Sequence, residues 1–281
     1  MTNDLVSVII PTYKRISKLK NCIESVKKST YKNIEIIVVN DDPDMYIPKE
    51  LFKGIKIIQN KRNMYASYSK NLGAKFSKGK FLFFLDDDNI LDKNAITNLV
   101  RVYNKSIGVL GPIMYNKNKT VWFSGAKMKW IRFNPSKIKS NSNKLLIKTD
   151  VIPNAAFISS YLFNRVKGYD KNFPIHGEDL DLPQKLLKLG FQSFIYKKAI
   201  TIHDYGKLEE HLTPKRLYFV VRAAILLEKK YAKFYKKILF SIYLIIHISY
   251  YFIIFIPKRK NKIGYYKNYL KGLKDGILTG I

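Results

Sequence analysis

Phe81-Leu-Phe-Phe-Leu-Asp-Asp-Asp88 is the stretch that decides how this 281-residue chain is read. Five bulky apolar residues in a row predict a buried strand, and three adjacent aspartates mark its end. Ligands of open α/β sheets bind at the carboxyl edge of the strands, so such a strand would hold Asp86, Asp87 and Asp88 where a ligand arrives. Neighbouring carboxylates repel one another and resist burial unless something positive compensates them. A divalent cation does this, and hard oxygen ligands favour Mg2+ or Mn2+, which also bridge phosphates. These residues alone point to a metal-dependent enzyme that handles a diphosphate.

Outward from this stretch, strands and helices alternate. Leu5 to Ile10 reads as a strand ended by Pro11, and Ile16, Leu19, Ile23 and Val26 follow at helical spacing. Ile34 to Val39 is a second strand, closed by Asn40-Asp41-Asp42-Pro43, and Ile55 to Ile58 a third. A helix is expected over residues 66–76, broken by Gly79 before Phe81, and Ala95, Leu99 and Val102 carry the next. This alternation predicts an α/β fold with a mostly parallel sheet and right-handed crossovers. The second half is less regular. Strands are expected at residues 107–113, 120–126, 151–158, 191–196 and 200–202, with a polar loop over 137–148 and a helix from Leu182 to Leu189 ended by Gly190.

Hydrophobic residues make up 47% of the chain, enough for one large domain or for one domain plus an appendage. Lys and Arg total 51 against 21 Asp and Glu, a net charge of +30. Such an excess implies an anionic partner: nucleic acid, anionic lipid or a phosphorylated substrate. Lys, Ile, Asn and Tyr are abundant throughout, so part of the charge reflects general composition. The single Cys22 excludes an internal disulfide and a cysteine metal cluster, and its helical setting predicts inert burial. Met1-Thr-Asn-Asp4 lacks the basic-then-apolar pattern of a secretory signal. Phosphate-loop, dinucleotide and nucleophile-elbow motifs are all missing.

Two units are expected, residues 1–212 and 213–281. Thr213-Pro214 starts a helix, and Ile238 to Ile256 is an uncharged run near bilayer-spanning length. Lys229, Lys230, Lys233, Lys236 and Lys237 precede it, and Lys258, Arg259, Lys260 and Lys262 follow. Positive charge on both flanks favours an in-plane or re-entrant anchor on an anionic leaflet over a single crossing. The competing reading is a helix pair buried in a core or a dimer interface.

Further candidates lie at other strand ends. Pro11-Thr12-Tyr13-Lys14-Arg15 follows the first strand, where nucleotides bind: Tyr13 could stack on a base and Arg15 pair with a diphosphate, or the segment is a plain turn. Asp41 could accept from a base or ribose, or serve the Asp-Pro turn. Lys70 could reach phosphate or be a solvated helical lysine. Glu178 and Asp179 suit a helix start, or one of them deprotonates an acceptor hydroxyl. His203 completes a metal shell, contacts a phosphate or is structural.

In family order and spacing, Val6-Ser-Val-Ile-Ile-Pro-Thr-Tyr13, Val38-Val-Asn-Asp41, Lys70-Asn-Leu-Gly73, Phe84-Leu-Asp-Asp-Asp88 and Gly168-Tyr-Asp-x-x-Phe173 leading to Glu178-Asp179 resemble the family 2 glycosyltransferases. The resemblance covers roughly residues 4–205 and implies the GT-A fold with a helical, membrane-associated carboxyl-terminal region. It implies that Pro11, Thr12, Tyr13, Arg15 and Asp41 cradle the nucleotide, with Lys70 where relatives carry arginine. Asp86 and Asp87 would line the ribose and metal site, Asp88 would be the principal metal ligand, and Asp179 the base with Glu178 beside it. The implied reaction is inverting transfer of one sugar from a nucleotide-diphosphate sugar to a lipid-linked or envelope glycan, at the cytoplasmic face of the cell membrane. Asn63-Met64-Tyr65 replaces a glycine many relatives carry, and the Gln-x-x-Arg-Trp motif of processive synthases is missing. Arg216-Leu-Tyr-Phe-Val-Val-Arg222 resembles the Tyr-x-x-Arg region of membrane-associated relatives. Alternatives are a polyprenyl-phosphate sugar synthase, a nucleotidyltransferase, an inactive sugar-binding relative and a basic nucleic-acid-binding protein. The last leaves Asp86 to Asp88 without a purpose, because bare carboxylates repel phosphates, so no nucleic-acid partner is expected.

Overall fold

A computed structural model describes residues 3–48, 52–130, 134–138, 143–204 and 213–281. Among these, the chain divides into two compact units: residues 3–127, 137–174 and 178–204, and residues 128–136, 175–177 and 213–281. The boundary expected after residue 212 adjoins residues 205–212, which lie outside the described residues, as do residues 139–142 of the expected polar loop.

The first unit begins with the anticipated alternation: β1 (Val6–Thr12), α1 (Ile16–Lys27), β2 (Ile34–Asn40), β3 (Lys56–Gln59), α2 (Tyr65–Lys75) and β4 (Phe81–Leu85). β5 (Asn89–Leu91), α3 (Ala95–Val102), β6 (Ile107–Tyr115) and β7 (Val121–Phe123) follow. β8 (Ala126–Lys129) and β9 (Asn134–Lys137) make a separate two-stranded sheet. β10 (Leu146–Thr149), β11 (Ala155–Ser159), α4 (Ser160–Arg165), α5 (Glu178–Lys188) and β12 (Gln192–His203) complete the elements of the fold. The large sheet runs β10-β12-β6-β11-β4-β1-β2-β3. β3, β2, β1 and β4 are mutually parallel, while β11 runs antiparallel to both β4 and β6.

β1 and β4 are buried at every position, which is why each reads as an unbroken apolar run. Gly73 of α2 lets the helix lie against β1, since a Cβ there would overlap the Ile9 Cγ2 methyl. Parallel register pairs Ile9 with Phe84, so the loops after β1 and β4 emerge together at one edge. The strand expected over residues 120–126 is split into β7 and β8 at Gly125, whose φ of +120° suits glycine and breaks strand pairing. The two strands expected at 191–196 and 200–202 are one, β12, with a register shift between Tyr196 and Ile200.

The second unit is helical: α6 (Pro214–Tyr231), α7 (Phe234–Tyr250) and α8 (Lys262–Leu278). Thr213 caps α6 by accepting from the Arg216 N–H. Gly272 and Gly276 let α8 approach α6 closely; a Cβ on Gly272 would lie 2.8 Å from the Tyr218 carbonyl oxygen. Lys229 Nζ donates to the Ile277 and Thr279 carbonyls at 2.9 and 2.7 Å, capping the end of α8. α7 continues through a π turn and a 3₁₀ turn to Lys258. Phe240 and Ile256 join Leu217, Val221, Ile225, Tyr265, Tyr269 and Leu273 in one cluster. The opposite face of α7, with Ile238, Ile242, Ile245, Ile246 and Ile253, is exposed. Phe234–Lys258 spans 25 residues at a mean hydropathy of 2.2 with 6% of its apolar window buried; among the described residues it is the one helical stretch long and apolar enough to cross a membrane.

Candidate active site

The edge formed by the carboxyl ends of β1 and β4 gathers most of the expected residues. The buried Thr12 hydroxyl donates to Asp87 Oδ2 at 2.6 Å. Arg15, in the residue before α1, reaches Asp87 Oδ1 at 2.5 Å and Asp88 Oδ2 at 2.8 Å. Lys70 Nζ lies 3.1 Å from Asp86 Oδ1. It is buried, not the solvated helical lysine that its sequence also allowed, and its ammonium lies over the Tyr169 ring. The chain's own Arg15 and Lys70 thus compensate the three carboxylates.

Main-chain bonds fix the aspartate loop from both sides. The Asp86 N–H donates to the Asn154 carbonyl, and the Asp204 N–H to the Asp88 carbonyl, each at 2.8 Å. His203, the last residue of β12, places Nε2 3.4 Å from Asp88 Oδ1 and 3.0 Å from Asn154 Nδ2, with its ring against Trp122. Burial pushes the fully enclosed Asp87 carboxyl up to about 7, against the pull of Arg15 and Thr12. Burial also raises Asp88, but the His203 hydrogen bond and the Arg15 charge outweigh it and hold Asp88 below the usual carboxylate range. Burial would lower Lys70, yet Asp86, Tyr169 and Glu178 outweigh it and keep the ammonium charged.

Among the described residues, no group of three or more His, Cys, Asp or Glu is arranged as a metal cage. An ionised carboxylate facing an imidazole is nevertheless the kind of donor pair that holds Mg2+ or Mn2+ when phosphate oxygens supply the other ligands. Asp88 and His203 fit such an ion. Asp86 lies beside them with one oxygen engaged by Lys70.

Other expected residues are distributed around this core. Pro11 is inside β1, paired with Val39. Tyr13 is partly exposed in the turn, next to Lys14, whose φ is +58°. Asp41 is buried: Oδ1 accepts from Asn60 Nδ2 and the Met64 N–H, and Oδ2 from the Tyr65 N–H. It therefore caps the start of α2 from 24 residues away. Glu178 and Asp179 occupy the first turn of α5. Burial pushes both carboxyls up, while the Lys70 charge pulls both down. Among the described residues, Glu178 Oε2 is buried with no hydrogen-bond partner, and the Asp179 carbonyl accepts from the Ile152 N–H at 2.9 Å. Asn154 and Trp122 were not anticipated; Asn154 has a φ of +57°, tolerated by asparagine and unmarked by any repeat in the sequence.

A sequence model described as glycosyl transferase family 2 matches residues 7–166, more than half of the chain and most of this site. The chain belongs to glycosyl transferase family 2. Among similar proteins, this family 2 member is 28% identical over 127 residues to the glycosyltransferase GlyG of Streptococcus pneumoniae, covering 42% of each chain. It is 29% identical over 212 residues to an uncharacterized glycosyltransferase of Rickettsia typhi, covering 71% of this chain and 64% of that protein. The matched stretches span less than two thirds of these relatives' own length. The crystal structure of Staphylococcus aureus TarS 1–349 with UDP-GlcNAc superimposes with a TM-score of 0.61 at 18% identity, covering 97% of this chain and 80% of that one. The mannosyltransferase PcManGT of Pyrobaculum calidifontis, in complex with GDP-Man and Mn2+, gives 0.62 at 12% identity, covering 100% and 77%. These likenesses establish the fold: a mixed, mostly parallel sheet flanked by helices.

Proposed function

We propose that this family 2 member is an inverting glycosyltransferase that moves a single sugar from a nucleotide-diphosphate sugar to a lipid-linked or envelope glycan. One observation carries the reading: Lys70 pairs with Asp86 of the aspartate cluster while its charge also acts on Glu178 and Asp179. A donor-type carboxylate cluster and a candidate base pair thereby share one buried cation.

In this reading Pro11, Thr12, Tyr13 and Asp41 border the nucleotide, Asp86 and Asp87 the ribose, and Arg15 the diphosphate. Asp88 and His203 would hold a Mg2+ or Mn2+ ion, whose chemistry when bound would be to neutralise charge on the departing diphosphate. Asp179 accepts the proton of the acceptor hydroxyl as that oxygen attacks the anomeric carbon from the face opposite the diphosphate. Glu178 orients the acceptor. A carboxylate raised by burial is a stronger proton acceptor at neutral pH, provided Lys70 keeps it ionised. The sugar-nucleotides bound by TarS and PcManGT, and the Mn2+ of the latter, support this chemistry on the shared fold.

In the same reading the enzyme works on the cytoplasmic face of the cell membrane, with Phe234–Lys258 lying in the plane of an anionic leaflet. Packing within the helical unit supports the in-plane arrangement. The inner face of α7 is packed with α6 and α8, and α8 carries the exposed Lys267, Lys271 and Lys274. A crossing α7 would draw those lysines to membrane depth at about 2.5–3.5 kcal/mol each.

The test is nucleotide diphosphate release and sugar transfer in detergent with Mn2+ or Mg2+, across a nucleotide-sugar panel. Release from one donor, abolished in Asp88→Ala and Asp179→Asn, is expected. No release from any donor, with acceptor lipid extract present, would overturn the reading.

A further inference from the structure

We infer that Asn154 is a third protein ligand of the divalent cation, binding through its side-chain amide oxygen beside Asp88 and His203. This rests on the metal-assisted transferase reading above and adds a donor that no acidic or imidazole group supplies.

Asn154 Nδ2 lies 3.0 Å from His203 Nε2, and the same Nε2 lies 3.4 Å from Asp88 Oδ1. An imidazole nitrogen offers one in-plane position, filled by either a proton or a lone pair. Nε2 can donate to Asp88 or accept from the Asn154 amide nitrogen, but it cannot do both. Three polar heads therefore converge where a single proton cannot serve them all. A divalent cation does: a carboxylate oxygen, an imidazole nitrogen and an amide oxygen are all donors to such ions. Neighbouring donors on an octahedral ion bound at about 2.1 Å sit about 3 Å apart, close to the two spacings around Nε2. A half-turn about the Asn154 Cβ–Cγ bond exchanges the amide nitrogen and oxygen. Oδ1 then takes the place of Nδ2 with no movement of the backbone.

The backbone around Asn154 is tied to the same site. Its φ of +57° lies in the left-handed region, which glycine enters without strain and asparagine tolerates. Its carbonyl accepts from the Asp86 N–H at 2.8 Å, and the next residue, Ala155, pairs with Leu85 where β11 meets β4. Pro153 stiffens the chain on the other side. The main chain of Asn154 thus holds the first aspartate of the cluster, while its side chain reaches the histidine at the end of β12. His203 is steadied from another direction by the Trp122 ring, with centroids 4.4 Å apart. A turn that needed only the left-handed backbone would be served better by glycine. What asparagine adds is the amide, and the amide points at the proposed ion.

The experiment titrates the full chain in detergent with Mn2+ at one pH, alone and with UDP or GDP, reading free Mn2+ by electron paramagnetic resonance. Asn154→Gly keeps the left-handed backbone and removes the amide. Its Mn2+ affinity is expected to fall about tenfold, with thermal stability close to that of the wild type. Donor hydrolysis by this variant is expected to fall at low Mn2+ and to recover at high Mn2+. Asn154→Asp keeps an oxygen donor and adds charge, but when ionised it cannot donate a hydrogen bond. Its Mn2+ affinity is expected to equal or exceed that of the wild type. An Asp variant as weak as the Gly variant would show that Asn154 acts by donating to Nε2, and would overturn the inference. So would a Gly variant that binds Mn2+ as tightly as the wild type or more tightly, which would make the amide a bystander or a competitor for Nε2. A wild type that transfers sugar but binds no Mn2+ with either nucleotide would overturn the metal assignment and this inference with it, leaving the transferase reading in place. Absence of donor hydrolysis in the wild type would refute the transferase reading and leave the Mn2+ titration to decide the role of Asn154 on its own.

Discussion

Replacing Lys70 by Met tests the centre of the proposed site. At 3.1 Å, a Lys–Asp pair with an effective dielectric near 20 is worth about 5 kcal/mol of Coulomb energy. The Asp86 side chain keeps 26% of its surface, so water screens part of that energy. Breaking a buried pair by removing one partner costs about 3–5 kcal/mol, which with this screening becomes about 2–4. For a chain of this size the loss corresponds to a fall in Tm of roughly 5–15 °C. A double-mutant cycle with Asp86→Asn, read by urea unfolding, is expected to return a coupling of about 2 kcal/mol. The pH profile supplies a second readout. Burial already raises Glu178 and Asp179, and Lys70 is the largest opposing charge. Without it both carboxyls hold their protons to higher pH, so the acidic limb of kcat/KM moves upward. Lys70→Arg keeps the charge and restores the limb toward its wild-type position. A coupling below about 0.5 kcal/mol, together with a limb that stays or moves down, would refute the link between the aspartate cluster and the base pair.

Two further substitutions follow from the packing. Gly73→Ala places a methyl against Ile9 and 3.3 Å from Val39 Cγ2, and is expected to lower stability by about 1–3 kcal/mol in urea unfolding. Glu228 is buried with both carboxylate oxygens lacking hydrogen-bond partners among the described residues, and burial lifts it from 4.5 to about 8. The folded state therefore binds this proton more tightly than the unfolded chain, so stability falls as pH rises from about 4.5 to about 8. Glu228→Gln removes that slope: its Tm should match the wild type near pH 5 and exceed it at pH 8.5, by a few kcal/mol of stability.

Particular residues show why some of this was legible and some was not. β1, β2 and β4 could be read because central parallel strands are covered on both faces and so are written as continuous apolar runs. Asp86 to Asp88 stood out because a carboxylate cluster has no place inside such a run. Lys70 could not be assigned a burial: its partner Asp86 lies sixteen positions away on another element, and α2 alone gives no sign of it. Asp41 read as a turn residue, and its capping of α2 depends on a loop return that no local pattern encodes. Asn154 and Trp122 lie in the irregular second half, where a left-handed φ and a ring contact are set by tertiary position. The apolar run after Lys237 was visible, but the packing that divides α7 into a covered and an exposed face was not.

The acids of this strongly basic chain are placed where something meets them. Asp41, Asp42, Asp87, Glu178, Asp181 and Glu228 are the buried carboxylates among the described residues. The first five lie at the ends of β2 and β4 or in the first turn of α5; Asp42 accepts from the Asp44 N–H of its turn, and the others lie close to Arg15, Lys70 or Lys185 or to helix N–H groups. Glu228 is the exception, set in the last turn of α6 where the helix dipole opposes a negative charge, and the Lys236 and Lys237 charges only partly offset its burial. The carboxylates that are compensated converge on the sheet edge where a cation and a proton acceptor are proposed, and the chain's own Arg15 and Lys70 hold them there.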